Sequence, residues 1–590
     1  MPRRKPLSKY KVIGLDTETY LDSNIMKPFL VQLYSEDYIP EIKEVFEVFR
    51  EREVERLGKF LFSSKVRGSI LVTFNMSFDL SVLAKLGITV KVVEVGGRFI
   101  TAKLEKSKHV VRVIDLRNIL GVKSLHEVGK ALGIPKMNRP LWLGYKESLK
   151  YYLENEQYRN YFREYALNDA KICYKAFKEL LKTGSVERLK NTSGALSMYM
   201  FSKHYQRLDF PHYPEEVEVK LRKAYRGGRT EVLKRGCNDK KLYYYDINSL
   251  YPYVMSTYRF PYNFDNGVGR FKKKNDIDLD FEGVAKVKVL VDTDIPPLGV
   301  KRVCEDGWER LVFPEGVLVD YFTYPELRYL EENNYGKILN VYESFEFKVW
   351  CYPFRDFIND LYTLRLIHKD DKLRNKFYKI LMNSLYGKFG EFKDGKVILL
   401  DKDMVKLLND EKPKKMRYYH NIVWASYITA YGRLELHKRF RQAGFKNIYY
   451  CDTDSLMTTA NLPVGNELGN LKLEGEGKEG DVILIRSKFY IFENTIRFRG
   501  FTLDCDVSVL KELIRKGINY VKQERILKPL EAYRRGLTPL MYEVYRKFFN
   551  TESDYKRVYE KLLNGAELLT EISDSHPRKY SEGGLDAPNQ

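Results

Sequence analysis

The sequence contains few cysteines and none of the close cysteine pairs that bind zinc or form local disulfides. Six cysteines are spread over 590 residues, without Cys-x-x-Cys spacing and without a nearby histidine to complete a metal site. Long apolar runs are also absent, and the basic start "MPRRKPLSKY" is not followed by a hydrophobic segment. This pattern predicts neither a membrane span nor a secretion signal. We expect a cytoplasmic protein with buried thiols at Cys173, Cys237, Cys304, Cys351, Cys451 and Cys505.

Acidic residues are outnumbered by basic ones. Lys plus Arg total 101 against 80 Asp plus Glu, which gives a formal charge of +21, while 44% of the residues are hydrophobic. The hydrophobic fraction is typical of a folded chain, and the length predicts roughly four domains or subdomains. The charge favours a polyanionic partner such as nucleic acid, with a solubilising surface as the alternative.

The chain divides near residue 185. Residues 10–125 alternate apolar runs with turn residues, and a Tyr- and Glu-rich helical pattern follows over roughly 146–183. The polar stretch "KTGSVERLKNTSG" then separates this α/β domain from a second unit, which begins with an amphipathic stretch around 195–225. We expect the C-terminal tail "SDSHPRKYSEGGLDAPNQ" to be frayed.

The first group of candidate catalytic residues lies in the N-terminal part. Asp16 and Glu18 in "VIGLDTETY" are two apart on a predicted strand and so share a face, although a lone DxE is typical of a solvated strand edge. "TFNMSFDL" adds Asp79, and "YFREYALNDAKICY" adds Tyr165 and Asp169, four apart on one helical face. Four carboxylates arranged in this way favour two hard divalent cations, which would activate water to attack a phosphodiester.

These segments resemble the three motifs of DEDD-type 3′→5′ proofreading exonucleases, in the variant whose third motif carries tyrosine. The resemblance implies an RNase H-like fold in which Asp16, Glu18, Asp79 and Asp169 bind metal and Tyr165 orients the attacking water. It also implies that Asn75 and Phe78 bind the frayed primer end. Lys136 in "GIPKMNRP" lies where related enzymes carry a catalytic lysine, with a surface lysine as the alternative.

A second group lies in the C-terminal two thirds of the chain. Asp246 in "YYYDINSLYP" precedes Asp452 and Asp454 in "YYCDTDSL", where two aspartates lie in an apolar, aromatic run. We predict a strand, turn and helix for the first segment, strand, turn and strand for the second, and two basic helices between them. Cations near metal-binding carboxylates are suited to holding a triphosphate, whereas the alternative is an exposed helix face.

The second group closely resembles family B DNA polymerases: "DINSLYP" is similar to motif A, "KILMNSLYG" to motif B and "YCDTDS" to motif C. The resemblance implies that Asp246, Asp454 and the backbone of Ile247 bind two Mg²⁺ ions, with Mn²⁺ as a substitute, and that Asp452 supports the site. Tyr251 would pack under the sugar and exclude a 2′-hydroxyl. The implied contacts to the nucleotide come from Ile247, Tyr251, Arg365, Lys369, Lys379, Asn383 and Tyr386, and we expect Lys379, Asn383, Tyr386 and Gly387 to share one helical face.

Smaller matches extend the resemblance along the chain and imply contacts to DNA. "AYRGGRTEV" is similar to the YxGG segment, "TAYGR" to the TxxGR template contact and "SKFY" to the KxY primer contact. The residues concerned are Tyr225, Gly227, Gly228, Thr429, Arg433, Lys488 and Tyr490.

The resemblance implies an α/β and α+β multidomain protein, with an RNase H-like exonuclease domain and a right-hand polymerase of palm, fingers and thumb. The expected domains are the exonuclease over 1–185, linker and first palm part over 186–260, palm insertion over 261–350, fingers over 351–390, hairpin insertion over 391–420, second palm part over 421–525, and thumb and tail over 526–590.

The two insertions are similar to the terminal-protein regions of the protein-primed branch, with ordinary variable loops as the alternative. That branch implies a monomer that replicates a linear viral or mobile genome processively, displacing the other strand, in the host cytoplasm if viral. Its partners would be primer-template DNA, deoxynucleoside triphosphates and a terminal protein, with no membrane. The alternatives are a primer-independent family B polymerase and a non-catalytic DNA-binding scaffold.

Overall fold

The computed structural model describes residues 10–106, 109–183, 190–206, 210–262, 272–391, 395–402, 405–408, 417–499, 505–537, 540–581 and 584–585. The helices are α1 (Glu51–Leu61), α2 (Met76–Lys85), α3 (Leu116–Leu120), α4 (Leu125–Ala131), α5 (Lys146–Glu154), α6 (Glu156–Lys182), α7 (Ser193–Met200), α8 (Glu215–Leu221), α9 (Leu250–Thr257), α10 (Tyr324–Glu332), α11 (Arg355–Ile367), α12 (Lys372–Ser384), α13 (Ile422–Ala443), α14 (Val507–Arg515) and α15 (Pro529–Arg534).

The strands are β1 (Val12–Asp22), β2 (Ile25–Ser35), β3 (Ile42–Glu47), β4 (Ile70–Thr73), β5 (Val90–Val95), β6 (Arg98–Lys106), β7 (His109–Asp115), β8 (Thr230–Val232), β9 (Arg235–Cys237), β10 (Leu242–Ile247), β11 (Phe260–Tyr262), β12 (Lys272–Lys274), β13 (Glu282–Val291), β14 (Val300–Val303), β15 (Glu309–Val312), β16 (Glu315–Thr323), β17 (Gly336–Phe347), β18 (Val349–Cys351), β19 (Lys396–Leu400), β20 (Val405–Leu407), β21 (Ile448–Asp452), β22 (Ser455–Thr458), β23 (Leu471–Gly477), β24 (Val482–Arg486), β25 (Phe489–Phe492), β26 (Thr495–Phe498), β27 (Tyr520–Ile526), β28 (Tyr542–Phe548), β29 (Arg557–Tyr559), β30 (Ile572–Ser573), β31 (Ser575–Pro577), β32 (Lys579–Ser581) and β33 (Gly584–Leu585). Within the described ranges, no helix has the length and apolar content needed to cross a bilayer.

The chain forms two compact units. The first comprises residues 1–204, 360–417 and 524–545, and the second comprises residues 205–359, 418–523 and 546–590. The predicted domain boundaries are finer than this division and remain predictions.

A nine-stranded sheet organises the first unit. Its strand order is β20-β19-β5-β6-β7-β4-β1-β2-β3, in which β1 is parallel to β4 and antiparallel to β2. The apolar residues of these strands and of α2 form one large buried core. Helix α6 packs against β1 and β2. The central strand β1 therefore lies where both a second strand and a helix can bring side chains to it.

The predicted helix over 146–183 is two helices. Asn155 has extended backbone angles, and its side-chain oxygen accepts a hydrogen bond from Tyr158 N at 2.9 Å, so it caps α6 and ends the continuity with α5. Asparagine favours such capping positions because its short side chain replaces a backbone acceptor.

The second unit contains separate sheets with orders β23-β10-β22-β21-β8, β26-β25-β24-β9-β30 and β12-β17-β13-β16-β32-β33. The predicted strand, turn and helix are present as β10 and α9, and the predicted strand, turn and strand as β21 and β22. The expectation of a frayed tail is wrong up to residue 581. Strand β32 pairs with β16, and Arg578 is 2% exposed and donates to the carboxylate of Glu305 at 3.0 Å.

Candidate active sites

Three carboxylates meet on one face of β1. The alternation of side chains along a strand places Asp16 and Glu18 on the same face, as predicted, and α6 brings Asp169 to that face. One oxygen from each of the three side chains lies within 4.8 Å of the others. Oxygen Oδ1 of Asp169 is buried without a hydrogen-bond partner. A set of close oxygen ligands with one unsatisfied atom fits a hard divalent cation.

Gly14 permits this approach of α6 to β1. A Cβ atom added at Gly14 would lie 1.9 Å from the carbonyl oxygen of Ala170, which follows Asp169 in the helix. Any larger residue at this position would push the helix backbone away from the strand. The distance from Asp169 to the other two carboxylates therefore depends on the absence of a side chain at residue 14.

The three carboxylates disfavour one another's charge. Burial, together with the negative charges of Asp169 and Asp79, raises the pKa of Asp16 well above its ordinary value. Burial and Asp169 raise the pKa of Glu18 to about 8, and burial raises the pKa of Asp169 although Lys136 opposes the shift. Because a cation would relieve this repulsion, the electrostatics also fit a metal site.

We expect the stability of the metal-free protein to fall as pH rises between about 4.5 and 8. In this window the folded carboxylates retain protons that the unfolded chain has released, so the free energy of unfolding decreases with pH. The melting temperature in EDTA should be a few degrees lower at pH 8.5 than at pH 6, and Mg²⁺ should remove most of that difference. Calorimetry of the Asp16→Asn variant provides the control, which should depend less on pH. Equal pH slopes for both proteins would contradict the interpretation.

Asp79 is not part of the three-carboxylate cluster. It accepts a hydrogen bond from Thr17 Oγ1 at 2.8 Å and another from the hydroxyl of Thr73. Thr17 leaves β1 on the face opposite Asp16 and Glu18, so Asp79 is bound to the other side of the strand. Burial raises its pKa to about 7. The structure thus brings together three of the four predicted ligands. The fourth, Asp79, lies nearby and is hydrogen-bonded to two threonine hydroxyls.

Lys136 lies at the cluster. Its Nζ is 2.5 Å from Asp169 Oδ2 and 5.2 Å from the ring centre of Tyr165. Burial opposes its charge, but Asp169 raises the pKa of Lys136 above its ordinary value, so the side chain stays cationic. Burial raises the pKa of Tyr165 to about 12, which keeps its hydroxyl protonated. The structure therefore places Lys136 and Tyr165 beside the predicted metal ligands. A lysine that only served the surface would not lie there.

Asp115 is a residue that the sequence motifs did not indicate. Its carboxylate accepts hydrogen bonds from the backbone N–H groups of Asn75 at 2.9 Å, Met76 at 3.1 Å and Arg117 at 2.9 Å. Asn75 has left-handed backbone angles at the start of α2, and Phe78 follows in the first turn of that helix. Asp115 therefore fixes the predicted primer-end segment to the end of β7. The sequence feature that could have indicated Asp115 is its position at the end of an apolar strand.

The second candidate site is centred on the turn between β21 and β22. Asp452 and Asp454 flank Thr453, which has a left-handed φ of 63°, and Asp246 on β10 pairs with Ser455. Ile247 N donates to Asp454 O at 2.6 Å, which joins the two segments through the backbone. All three aspartates are half-buried rather than enclosed. The strand pairing thus places Asp246, Asp452 and Asp454 around one turn, as the sequence predicted, but their carboxylate oxygens do not form a set of three within 4.8 Å of one another, as those of Asp16, Glu18 and Asp169 do.

Lys488 contacts one of these aspartates directly. Its Nζ lies 2.6 Å from Asp452 Oδ1, which also accepts from Thr230 Oγ1 at 3.0 Å. Tyr490, two residues later, is buried and its ring lies 5.1 Å from that of Tyr450. The structure thus places Lys488 against Asp452 and buries the Tyr490 ring, and the primer contact implied for these two residues stays a prediction.

The predicted template contacts Thr429 and Arg433 also have another role. Arg433 is 1% exposed, and its Nη1 donates to the carbonyls of Arg226 at 3.0 Å and Gly227 at 2.9 Å, while Nη2 lies 2.7 Å from Glu326. Thr429 is buried and donates to carbonyls of its own helix. Both side chains are enclosed by protein, and their role as template contacts stays a prediction. Arg433 supports the backbone of the predicted YxGG segment.

That segment lies against the aspartate turn. A Cβ atom added at Gly228 would lie 2.6 Å from Thr453 Cγ2, so the glycine permits close contact with the turn. Gly227 is exposed and Tyr225 is half-buried. Tyr251 in α9 is half-buried as well, and its Cε1 lies 3.1 Å from the position of a Cβ added at Gly432 of α13. The structure thus positions Tyr251 against a helix on one side.

The predicted triphosphate contacts belong to the first unit. Arg365 lies in α11, Lys369 follows that helix, and Lys379 and Asn383 lie in α12. Helix α12 ends at Ser384, and Tyr386–Lys388 forms a separate 3₁₀ turn. The prediction that all of these residues share one helical face is therefore wrong for Tyr386 and Gly387. A surface pocket is lined by Asn383, Tyr386 and Gly387 together with Thr192, Ser193, Gly194, Ser384, Lys388 and Glu391.

A family model described as DNA polymerase type B, organellar and viral, matches residues 136–462, more than half of the chain. The chain belongs to this family. The match confirms the predicted resemblance, and the matched part of this type B polymerase family member contains all three half-buried aspartates of the second site.

Individual relatives agree with the family. The DNA polymerase of Acidianus bottle-shaped virus is 27% identical over 384 residues, which cover 62% of this chain and 52% of the relative. The DNA polymerase of Bacillus phage Nf is 30% identical over 312 residues, covering 50% of this chain and 52% of the relative. The chain thus spans about half the length of these viral relatives.

The fold has a counterpart among solved structures. Phi29 DNA polymerase complexed with primer-template DNA and incoming nucleotide substrates is similar with a TM-score of 0.69 at 18% identity, over 92% of this chain and 100% of the other. At this identity the likeness establishes the fold alone. It confirms the predicted mixed α/β multidomain class of this type B polymerase family member.

Proposed function

We propose that this type B polymerase family member synthesises DNA on a template and removes nucleotides from 3′ ends at a separate site. The observation that carries the proposal is the pairing of β10 and β21 with β22, which places Asp246, Asp452 and Asp454 around one turn within the family-matched segment. Phosphoryl transfer needs carboxylates that hold divalent cations close to the reacting oxygens. The half-buried turn supplies such a group.

The proposed metal ligands fit magnesium, with manganese as a substitute. In the synthetic site they are Asp246, Asp454 and the backbone carbonyl of Ile247; in the degradative site they are Asp16, Glu18 and Asp169, with Asp79 adjacent. Bound cations would activate the attacking oxygen and stabilise the leaving oxygen. Lys488 keeps Asp452 oriented. Lys136 keeps Asp169 oriented, and the Tyr165 hydroxyl would position a water.

We propose deoxynucleoside triphosphates and primer-template DNA as substrates. The phi29 polymerase structure is a complex with primer-template DNA and incoming nucleotide substrates, and the positive charge of this chain suits the same ligands. Arg365, Lys369, Lys379, Asn383 and Tyr386 are the proposed nucleotide contacts. A monomeric enzyme that is primed by a terminal protein is the proposed mode, supported by the similarity to viral polymerases; primer-independent initiation is the alternative.

We expect Tyr251→Val to raise ribonucleotide insertion by roughly tenfold or more relative to deoxyribonucleotide insertion. The ring packs against α13 at Gly432, so it cannot retreat on that side from a 2′-hydroxyl. Single-nucleotide insertion kinetics with dNTP and NTP on one primer-template measure the ratio. Tyr251→Phe, which keeps the ring, is the matched control and should retain discrimination. Equal losses for both sugars in the valine variant would show that the ring only fills space.

Gly14→Ala should reduce degradation of single-stranded DNA by about a hundredfold and leave synthesis unchanged. The added methyl group overlaps the Ala170 carbonyl, which must move by more than 1 Å with Asp169, and misplacement on that scale costs about this factor. Gly58→Ala in α1 is the matched control, because a Cβ there meets no atom within 4 Å. Exonuclease and primer-extension rates of both variants test the prediction. Full exonuclease activity in Gly14→Ala would contradict the close-packing argument.

Two strands of the insertion over 391–420, β19 and β20, belong to the nine-stranded sheet of the first unit. Strand β19 pairs antiparallel with β5, and the side chains of Ile398 and Leu400 are fully buried in the core. The predicted turn at "KDGK" includes residues outside the described ranges. We propose that the segment acts as a clamp that supports processive, strand-displacing synthesis. Deletion of the segment would expose the exonuclease core. Charge-removing substitutions at Lys402 and Lys406 are therefore the appropriate test of the clamp, and the length of the DNA product is the measurement.

Primer extension tests the proposed function. A labelled primer on a longer template should be extended with the four dNTPs and Mg²⁺, and EDTA should stop the reaction. Omission of dNTPs should instead yield shortened primer. A non-catalytic DNA-binding scaffold would bind the duplex but change the primer in neither reaction, and that result would overturn the proposal.

A further inference from the structure

An exposed aromatic surface lies beside the three-carboxylate cluster. We call it the Trp142 surface and define it as Leu141, Trp142, Tyr145 and Tyr151. Their side chains are exposed by 75%, 49%, 57% and 44%, respectively. The indole and the Tyr151 ring are parallel within 1°, with centres 6.5 Å apart. Contiguous exposed aromatic rings are uncommon on protein surfaces and indicate a binding role.

The loop that carries this surface is firmly held. The hydroxyl of Tyr158 donates to the carbonyl of Leu141, that of Tyr161 donates to Asn138 O at 2.8 Å, and Arg139 Nη2 donates to Leu143 O at 2.6 Å. Trp142 has a left-handed φ of 61°, which is unfavourable for a bulky residue. The structure maintains an unfavourable conformation in order to present a half-exposed indole, a combination that points to function rather than packing.

The Trp142 surface is connected to the proposed exonuclease site. Gly144 pairs with β1 at Tyr20, and Leu21 N donates to Gly144 O at 2.9 Å. Tyr20 is two residues beyond Glu18, about 7 Å along the strand. Ring contacts also continue inward from Tyr151, first to Tyr158 at 5.9 Å, then to Phe162 at 5.8 Å and to Tyr165 at 6.3 Å.

The segment that carries these rings is rich in basic residues. Residues 136–150 contain four basic side chains, Lys136, Arg139, Lys146 and Lys150, and one acidic side chain, Glu147. Lys136 and Lys146 form ion pairs with Asp169 and Asp22, so the positive charge offered to a ligand is that of Arg139 and Lys150. An anionic ligand with flat apolar groups matches both the exposed aromatic rings and the basic side chains. Unpaired DNA has this chemistry, because its phosphates are negative and its bases stack on aromatic side chains whatever their sequence.

We propose that the Trp142 surface binds single-stranded DNA by base stacking, on the 5′ side of the nucleotide that is being removed. The proposal rests on the proposed exonuclease function. The unpaired strand behind the 3′ end would stack on Trp142 and Tyr151, with Arg139 and Lys150 near its phosphates. Holding the strand there would slow its dissociation between successive cleavages without contributing to the cleavage step.

Hydrolysis kinetics of the full chain test this role. Trp142→Ala should raise the KM for dT12 about tenfold and leave kcat unchanged, since loss of one base stack costs a factor of this order. Hydrolysis of thymidine 5′-p-nitrophenyl phosphate, which is too short to reach the surface, should not change. Trp142→Tyr should restore the wild-type KM, and Trp308→Ala, which removes a 71% exposed indole elsewhere, should have no effect. An unchanged KM in Trp142→Ala, or a lowered kcat, would overturn the proposal.

Binding without hydrolysis separates this proposal from the proposed exonuclease function. In EDTA, dT12 carrying 5-iododeoxyuridine should photo-crosslink to Trp142 or Tyr151, as peptide mass spectrometry would show. If the wild type hydrolysed neither substrate but the crosslink formed, the exonuclease proposal would fail while the DNA-binding surface stood. If the crosslink were absent, or if Trp142→Ala converted a dimer to a monomer in sedimentation, the surface would serve another partner and the proposal would be wrong.

Discussion

Asp454→Asn should lower the rate of DNA synthesis on the order of a thousandfold or more and leave 3′-end degradation intact. The substitution preserves size and the backbone carbonyl that accepts from Ile247 N, but it removes a negative charge from the proposed metal site. For comparison, one arginine that contacts the transferring phosphoryl group is worth about 10³–10⁵ in rate. Single-turnover primer extension at saturating dNTP measures the loss.

Asp574→Asn is a matched control for Asp454→Asn. Asp574 makes an ion pair with Lys234 at 2.8 Å and is exposed by 55%, so loss of its charge should affect neither reaction. If Asp454→Asn extended primers at the wild-type rate, the second site would be misassigned. If it abolished both activities in a protein with an unchanged circular dichroism spectrum, the assignment of two separate sites would be wrong.

Asp16→Ala combined with Glu18→Ala should have the opposite effect. Degradation of single-stranded DNA should fall on the order of a thousandfold or more, because two of the three close oxygen ligands are lost. Synthesis should continue with more misincorporated nucleotides. Digestion of a labelled oligonucleotide and sequencing of extended products measure the two effects.

The double substitution should also change stability in a direction that a merely damaged fold would not show. Removal of two mutually repelling carboxylates relieves the repulsion that raises the pKa of Glu18 to about 8, so the metal-free variant should be more stable than the wild type above that pH. Lower stability at pH 8.5 in EDTA would indicate a packing defect. Retained exonuclease activity would contradict the metal-ligand assignment.

Local periodicity in the sequence was sufficient to predict which side chains share an element. Asp16 and Glu18 follow the two-residue repeat of a strand, and Tyr165 and Asp169 follow the four-residue spacing of a helix. The Asp452–Asp454 turn was likewise apparent between two short apolar strands. In each case the determining interactions lie within a few residues, so a single sequence contains them.

Long-range interactions explain what the sequence did not predict. The sequence did not indicate that Arg433 is buried against Glu326, because this partner lies 107 residues away. The sequence likewise did not indicate that Asp79 accepts a hydrogen bond from Thr17, 62 residues earlier, because a threonine hydroxyl has no sequence signature as a partner. Strand β19 joins a sheet edge formed by β5 about 300 residues earlier. Motifs indicate which residue types are present, whereas burial decides whether a side chain can reach a ligand.

The central proposal is that one chain removes a wrong 3′ nucleotide and then synthesises DNA, and a primer with a mismatched 3′ end tests it most directly. With Mg²⁺ and dNTPs, the wild-type chain should first shorten the 5′-labelled primer by the mismatched nucleotide and then extend it, so that the full-length product carries the template-directed base. The Asp16→Ala/Glu18→Ala variant should stall or retain the mismatch, and Asp454→Asn should accumulate shortened primer. Full-length wild-type product that retains the mismatch would contradict the account.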